Sequence, residues 1–353
     1  MTPLISVVIN TYNHEFFIED AICSALAQDY PRSRFEILVV DDGSTDRTPE
    51  IVRAFGPRVR LLRKENGDQC SAVPYGAAHA NGEVVAILDG DDVWLPNKLS
   101  RVAQEFARDS RTVMVYHRYI FWDCRDNTVW EPNDPSDVSG DILADRRKLL
   151  TYWAPPMSSL TFRRDAFQRL TNIPPGRAFT YDLFLASAIL FVGPVAYVPQ
   201  VLTKNRVHGS NRWVAGQNGP TPATLKRRIA RRGEAINILR GWIWANAPKS
   251  LRPPARILLR SHRLAQIADE SLLNPPGRLR IFKNEARQIL TYGAVMTPAH
   301  RSYRWARAFG VLVVGSHVHY LEGVRTRVNK LRRRWQAPSA ETEPHGKTAG
   351  NVR

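Results

Sequence analysis

Val84-Val85-Ala86-Ile87-Leu88-Asp89-Gly90-Asp91-Asp92 decides how this chain folds. Five apolar residues in succession, three of them β-branched, read as a strand buried on both faces, as in parallel sheets flanked by helices. The strand ends in three carboxylates separated only by Gly90. Like charges crowded at the low-dielectric edge of a sheet repel, and a divalent cation bound by hard oxygen ligands cancels that repulsion. Magnesium or manganese held there would bridge to phosphate oxygens of a substrate. The competing reading is a polar turn after a strand, since Asp and Gly are ordinary turn residues.

Two further strand ends bear on that choice. Phe35-Glu36-Ile37-Leu38-Val39-Val40 runs into Asp41-Asp42-Gly43-Ser44-Thr45-Asp46, with a helical pattern from Thr48. Ile5-Ser6-Val7-Val8-Ile9 runs into Asn10-Thr11-Tyr12-Asn13. Three buried strands, each followed by a helix, imply a parallel sheet. In such sheets the ligand lies outside the carboxyl ends of the strands, where all three polar clusters fall.

These three motifs in order, together with Val93-Trp94-Leu95-Pro96 and Arg206-Val207-His208-Gly209-Ser210-Asn211, resemble the family-2 glycosyltransferases of GT-A fold over about residues 4–213. The resemblance implies an α/β fold, a Rossmann-like mixed sheet flanked by helices. It also implies inverting sugar transfer from a nucleotide-sugar donor to a saccharide or lipid-linked saccharide acceptor, in bacterial cell-envelope or exopolysaccharide assembly. It assigns metal contact to Asp91, and to Asp89 either the metal through water or the ribose hydroxyls. It places Asp42 on the nucleobase, Tyr12 against the base ring and Asn10 in the base pocket. A carboxylate accepts hydrogen bonds, and uracil or guanine offers N–H donors. For each the local alternative stays open: Asp41 fixing the turn, Tyr12 as a core aromatic, Ser44 and Asp46 capping a helix, Asp92 capping the helix near Trp94-Leu95-Pro96.

Inverting transfer needs a carboxylate to take the acceptor proton. Asp182, opening the apolar helical run Tyr181-Asp182-Leu183-Phe184-Leu185, matches the family's acidic position, although Tyr181 stands where a neighbouring acid is usual. A bare helix-dipole role is the alternative for Asp182. Arg206 and His208 suit a diphosphate or its metal, with Arg212 and Trp213 as a flap. Pro74 occupies the place of a family Asn, and a helix starting at Pro74 instead is expected there. The rival class is a non-catalytic nucleotide-sugar-binding or membrane-associated scaffold.

The 353 residues allow one large domain plus an appendage, and 43 % hydrophobic residues allow a substantial core. Cys23, Cys70 and Cys124 have no metal-ligand spacing and read as reduced thiols, with Cys23 a small core residue. No basic-then-apolar leader and no run of about 18 apolar residues occur, so a cytoplasmic protein is expected. Charge is asymmetric: residues 1–219 hold 24 basic and 26 acidic side chains, whereas residues 220–353 hold 26 and 7. The break falls at Gly216-Gln217-Asn218-Gly219-Pro220-Thr221-Pro222, a linker by composition. The expected organisation is a catalytic domain over 1–219, a basic helical region over 220–335 and a disordered polar tail over 336–353. Basic helices carrying Trp242, Trp305 and apolar faces suit peripheral contact with the inner face of an anionic membrane. Plain packing is the alternative, and no stacking platform or motif supports nucleic acid. Residues 117–160, with four prolines, read as irregular.

Overall fold

The computed structural model describes residues 2–132, 137–171, 179–208 and 221–273. The sheet grows around β1 (Ile5–Thr11), which is buried at every position. After α1 (Ile18–Leu26) comes β2 (Phe35–Asp41), and after α2 (Thr48–Ala54) comes β3 (Arg60–Arg63). Helix α3 (Gln69–Ala78) then leads to β4 (Val84–Asp89). Val7 pairs in parallel with Ile37 on β2 and with Ala86 on β4, so the three polar strand ends share one edge.

The second half makes the sheet mixed. A two-residue strand β5 (Val93–Trp94) and α4 (Lys98–Arg108) precede β6 (Met114–Asp123) and β7 (Thr128–Trp130). Then follow α5 (Arg146–Thr151), β8 (Thr161–Arg163), α6 (Arg164–Gln168), α7 (Tyr181–Ala188) and β9 (Val195–Val207). Strand order is β3-β2-β1-β4-β8-β6-β9-β5, with β8 antiparallel to β4 and to β6. The parallel sheet expected from the strand–helix alternation holds for β3-β2-β1-β4, is interrupted by the antiparallel β8, and resumes in the parallel β6–β9 pair. Because β5 directly follows the acidic loop yet pairs with β9, the sheet curls and returns the end of β9 to Asp91 and Asp92.

Both faces of the sheet are covered. Val7 and Ile9 face Ile18, Ile22, Leu99 and Phe106 on α1 and α4, while Val8, Val85 and Ile87 face Val73 and Ala77 on α3 and Phe184 on α7. Each fully buried Val or Ile of this kind contributes about 1.5–3 kcal/mol. Two C-terminal helices, α8 (Pro222–Asn246) and α9 (Arg252–Leu273), belong to the same compact unit, which ends at Asn274. Trp242 on α8 meets the Phe184 ring edge-on at 6.3 Å.

Several local expectations are corrected. The stretch 117–160 is irregular only in part: β6 runs to Asp123, β7 (Thr128–Trp130) turns back on it, and α5 (Arg146–Thr151) follows. Strand β9, expected from the sequence over 195–201, runs on to Val207, and Pro199, which cannot donate to a ladder, is passed over within it. His117 pairs with Val198 and Arg118 with Val201, leaving Pro199 and Gln200 exposed in a bulge. Helix α3 starts before Pro74, at Gln69, capped by the Asp68 carboxylate. Asp92 does not cap a helix; α4 starts at Lys98 and Asp92 points into the core. Cys23 is exposed on the outer side of α1. The Arg212–Trp213 flap, most of the linker, the expected basic helical region beyond residue 273 and the tail lie outside the described residues. Among those described, no helix is long and apolar enough to cross a membrane.

Candidate active site

At the end of β4 the chain makes a tight D-G-D-D turn. A Cβ at Gly90 would stand 2.8 Å from Thr11 Oγ1 and 2.9 Å from His14 Nδ1, so only glycine lets the acidic loop press against the end of β1. Carboxylate oxygens of Asp89, Asp91 and Asp92 all lie within 4.8 Å of one another. They are differently committed. Asp92 is buried and accepts from Ser158 Oγ at 2.5 Å, Asn205 Nδ2 at 2.6 Å and the Arg206 backbone N–H at 2.8 Å. Asp89 accepts from Gln69 Nε2 at 2.6 Å. Asp91 faces His208 Nε2 at 3.1 Å.

Electrostatics follow from that crowding. Burial, the Asp91 charge and the Asp182 charge push the Asp89 carboxyl above its ordinary range. Burial and both neighbours push Asp92 further up. Burial acts upward on Asp91 too, but the hydrogen bond from His208 and the charges of His14 and His208 outweigh it and hold Asp91 low. Asp91 is thus the carboxylate best kept ionised. Asp89 and Asp91, with the His208 imidazole 3.1 Å from Asp91, offer hard-oxygen and nitrogen donors suited to Mg2+ or Mn2+.

The loop is braced from behind. The Ser158 carbonyl accepts from Lys98 Nζ at 2.8 Å, Trp94 Nε1 at 2.9 Å and Thr203 Oγ1 at 3.1 Å. Ser158 Oγ accepts from the Asp89 backbone N–H at 3.0 Å. Neither Ser158 nor Lys98 stood out in the sequence; both are 60 or more residues from a partner they touch.

A cavity of about 350 Å³ opens over these groups. Asn10, Tyr12, Asp42, Asp89, Asp91 and Asp182 all line it, as do Arg206 and His208. The expected site residues that the structure describes are therefore in one place, but their environments differ. Asp42 is buried and accepts from Lys64 Nζ at 2.8 Å and from the Gly67 N–H at 3.1 Å. Asp41 instead holds its own turn, accepting from the Ser44 N–H at 3.0 Å and pairing with Arg63 at 2.7 Å. Arg206 is fixed: Nε donates to the Asp91 carbonyl at 2.8 Å, one Nη donates to Asp20 at 2.7 Å, and the guanidinium lies over Phe17 and Trp122. Asp182, at the start of α7, accepts from the Leu183 N–H at 2.8 Å, and burial pushes its carboxyl up to about 6.

The sequence reading missed Gln69, Asp68 and Arg231. Arg231 comes from α8, reaches the cavity and pairs with Asp68 at 2.5 Å. Its neighbours Arg228 and Arg232 both pair with the buried Asp269 on α9. Part of the basic charge of this region is thus used inside the molecule. A sequence signal for this was absent, because Asp68 and Arg231 are 163 residues apart.

The model of the family described as Glycosyl transferase family 2 matches residues 6–185. The chain belongs to that family. This glycosyltransferase is 31% identical over 229 residues to an uncharacterized glycosyltransferase of Nostoc sp., covering 63% of this chain and 70% of that one. It is 31% identical over 208 residues to one of Rickettsia typhi, covering 59% of this chain and 65% of that one. Among solved structures, a mannosyltransferase from Pyrobaculum calidifontis in complex with GDP-Man and Mn2+ superimposes with a TM-score of 0.58 at 20% identity, covering 93% of this chain and 87% of that chain. S. aureus TarS in complex with UDP-GlcNAc gives 0.52 at 17% identity, covering 86% and 92%. At such identities the likeness speaks for the GT-A fold. The family match ends at residue 185, so the end of β9 and Arg231 lie beyond it.

Proposed function

We propose that this glycosyltransferase moves a sugar from a nucleoside diphosphate donor to an acceptor hydroxyl with inversion, with Asp182 as the base. The carrying observation is that Asp182, held near 6, lines the same cavity as the Asp89, Asp91 and His208 cluster. Those three residues would hold Mg2+ or Mn2+, which when bound neutralises the leaving diphosphate. Asp182 takes the acceptor proton as the new bond forms; one of its oxygens accepts from the Leu183 N–H at the start of α7, which steadies the carboxyl beside the cavity. Arg206 cannot swing onto a phosphate, so it adds fixed positive charge and holds the Asp91 backbone. Asp42 and Tyr12 receive the nucleobase, with Asn10 beside them. Titration calorimetry of the full chain with UDP, GDP and dTDP, with and without Mn2+, tests this. At least one will bind in a metal-dependent way; none doing so refutes the reading, and equal binding of all removes Asp42 as a selective reader.

The acceptor on this reading is a lipid-linked saccharide in cell-envelope or exopolysaccharide assembly, met at the inner face of the membrane. Supporting this, Arg240, Trp244, Arg256, Arg260 and Arg263 are exposed on α8 and α9. Each basic residue near an anionic surface is worth about 1 kcal/mol, so several acting together are required. The full chain will co-sediment with phosphatidylglycerol vesicles at low salt and be released at about 1 M salt, where the Debye length is about 3 Å. Failure to pellet at low salt leaves these arginines as solvated surface.

A further inference from the structure

Beyond the acidic cluster, the cavity has a wall that the donor chemistry does not use. Phe121 on β6 lines it, and in register beside Phe121 stand Asn205 on β9 and Trp130 on β7. Being directly paired across the ladders, the three side chains share one face of the sheet. The Phe121 and Trp130 rings are 5.6 Å apart and tilted by only 33°, and both are half-buried. They form one aromatic surface running outward from the cavity.

Asn205 supplies a polar counterpart. Its Nδ2 donates to Asp92 at 2.6 Å, which turns Oδ1 the other way. That oxygen is buried and accepts no hydrogen bond, although Asn205 lines the cavity and is only 7% exposed. A buried acceptor without a donor costs about 1–3 kcal/mol, which a ligand O–H would relieve. An apolar ring face beside an orphan acceptor fits a sugar ring, which presents C–H groups on one face and hydroxyls at its edge.

Position argues which sugar. Asp42 follows the end of β2, two strands from β4 on one side, while β6 lies two strands from β4 on the other. Neighbouring strands are about 4.8 Å apart, so the nucleotide and the aromatic wall lie on opposite sides of the acidic loop. From Asn205, bonded to Asp92, the wall extends two strand spacings to Trp130, roughly 10 Å. We propose that Phe121, Trp130 and Asn205 form an acceptor subsite that stacks a saccharide ring on the β6–β7 hairpin. The choice of acceptor rests on the transferase mechanism proposed above; the recognition of a sugar ring does not.

The test uses the full chain and the methyl glycosides of glucose, galactose, mannose and N-acetylglucosamine, followed by saturation-transfer NMR. At least one glycoside will receive saturation on its ring C–H protons. Trp130→Ala and Trp130→Leu will weaken that binding about tenfold, the upper range for one aromatic contact, and Trp130→Phe will restore it. Trp130→Leu keeps apolar volume without a ring, so loss there and rescue by Phe separates stacking from mere packing. Mn2+-dependent nucleoside diphosphate affinity will be unchanged in all three variants. Saturation of none of the glycosides, or undiminished binding by Trp130→Leu, overturns the subsite. Displacement of the glycoside by a nucleotide-sugar donor with Mn2+ overturns its acceptor assignment. Nucleotide binding without glycoside binding refutes the subsite alone; glycoside binding without nucleotide binding refutes the donor reading alone.

Discussion

Replacing Asp182 with Asn will lower sugar transfer by about 10²–10⁴-fold, the usual contribution of a positioned base, while nucleoside diphosphate affinity stays as it was. The side chain keeps its shape and can still accept from the Leu183 N–H, so the fold at the start of α7 is preserved. The same residue sets a pH dependence. Burial raises its carboxyl to about 6, and the nearby Arg232 charge only partly offsets that. A base acts deprotonated, so transfer is at its plateau above that value. Below it, the wild-type rate drops about tenfold per pH unit. The Asn variant will lack this limb. Initial rates across pH for both proteins decide the matter; an Asn variant with wild-type turnover removes Asp182 from the chemistry.

Replacing Asp91 with Ala will bring diphosphate affinity in Mn2+ down to its metal-free value, a fall of tenfold or more, since even residues that only orient a metal ligand cost about 10–100-fold. Asp91 is the member of the acidic cluster held ionised, by His208 at 3.1 Å and by His14, while Asp89 and Asp92 are pushed toward their neutral forms. Removing it leaves the cluster without its permanent charge. A metal that binds only the folded state raises its stability. Mn2+ will therefore raise the melting temperature of the wild type and not of Asp91→Ala. Metal-dependent affinity surviving in that variant would assign the ion to other ligands.

The asymmetry within the D-G-D-D loop shows where sequence reading stops. That β4 is a buried strand ending in carboxylates is legible, because a continuous β-branched run is compatible with few other structures. That Gly90 must be glycine depends on Thr11 and His14, at and just beyond the end of the chain's first strand. That Asp92 faces inward toward Ser158 and Asn205 instead of capping α4 depends on partners 66 and 113 residues away. Pro74 misleads, sitting inside α3 because Asp68, at φ +67°, starts the helix earlier, and Pro199 is carried in a bulge within β9.

By itself the sequence determined the αβ alternation, the common edge of the three polar strand ends and the candidates Asp42, Asp89, Asp91, Asp182, Arg206 and His208 that line the cavity. These are local properties: side-chain period, β-branching and charge at a strand end act over a few residues. The tertiary structure alone decided which carboxylate is braced, which stays ionised and which is raised toward neutrality. It alone brought Arg231 of the basic helix onto Asp68, and placed Phe121, Trp130 and Asn205 on one wall. Burial, strand register and pairing between residues more than 100 positions apart have no local signature, because a side chain's dielectric surroundings and partners exist only once the sheet has curled β9 back onto the end of β4.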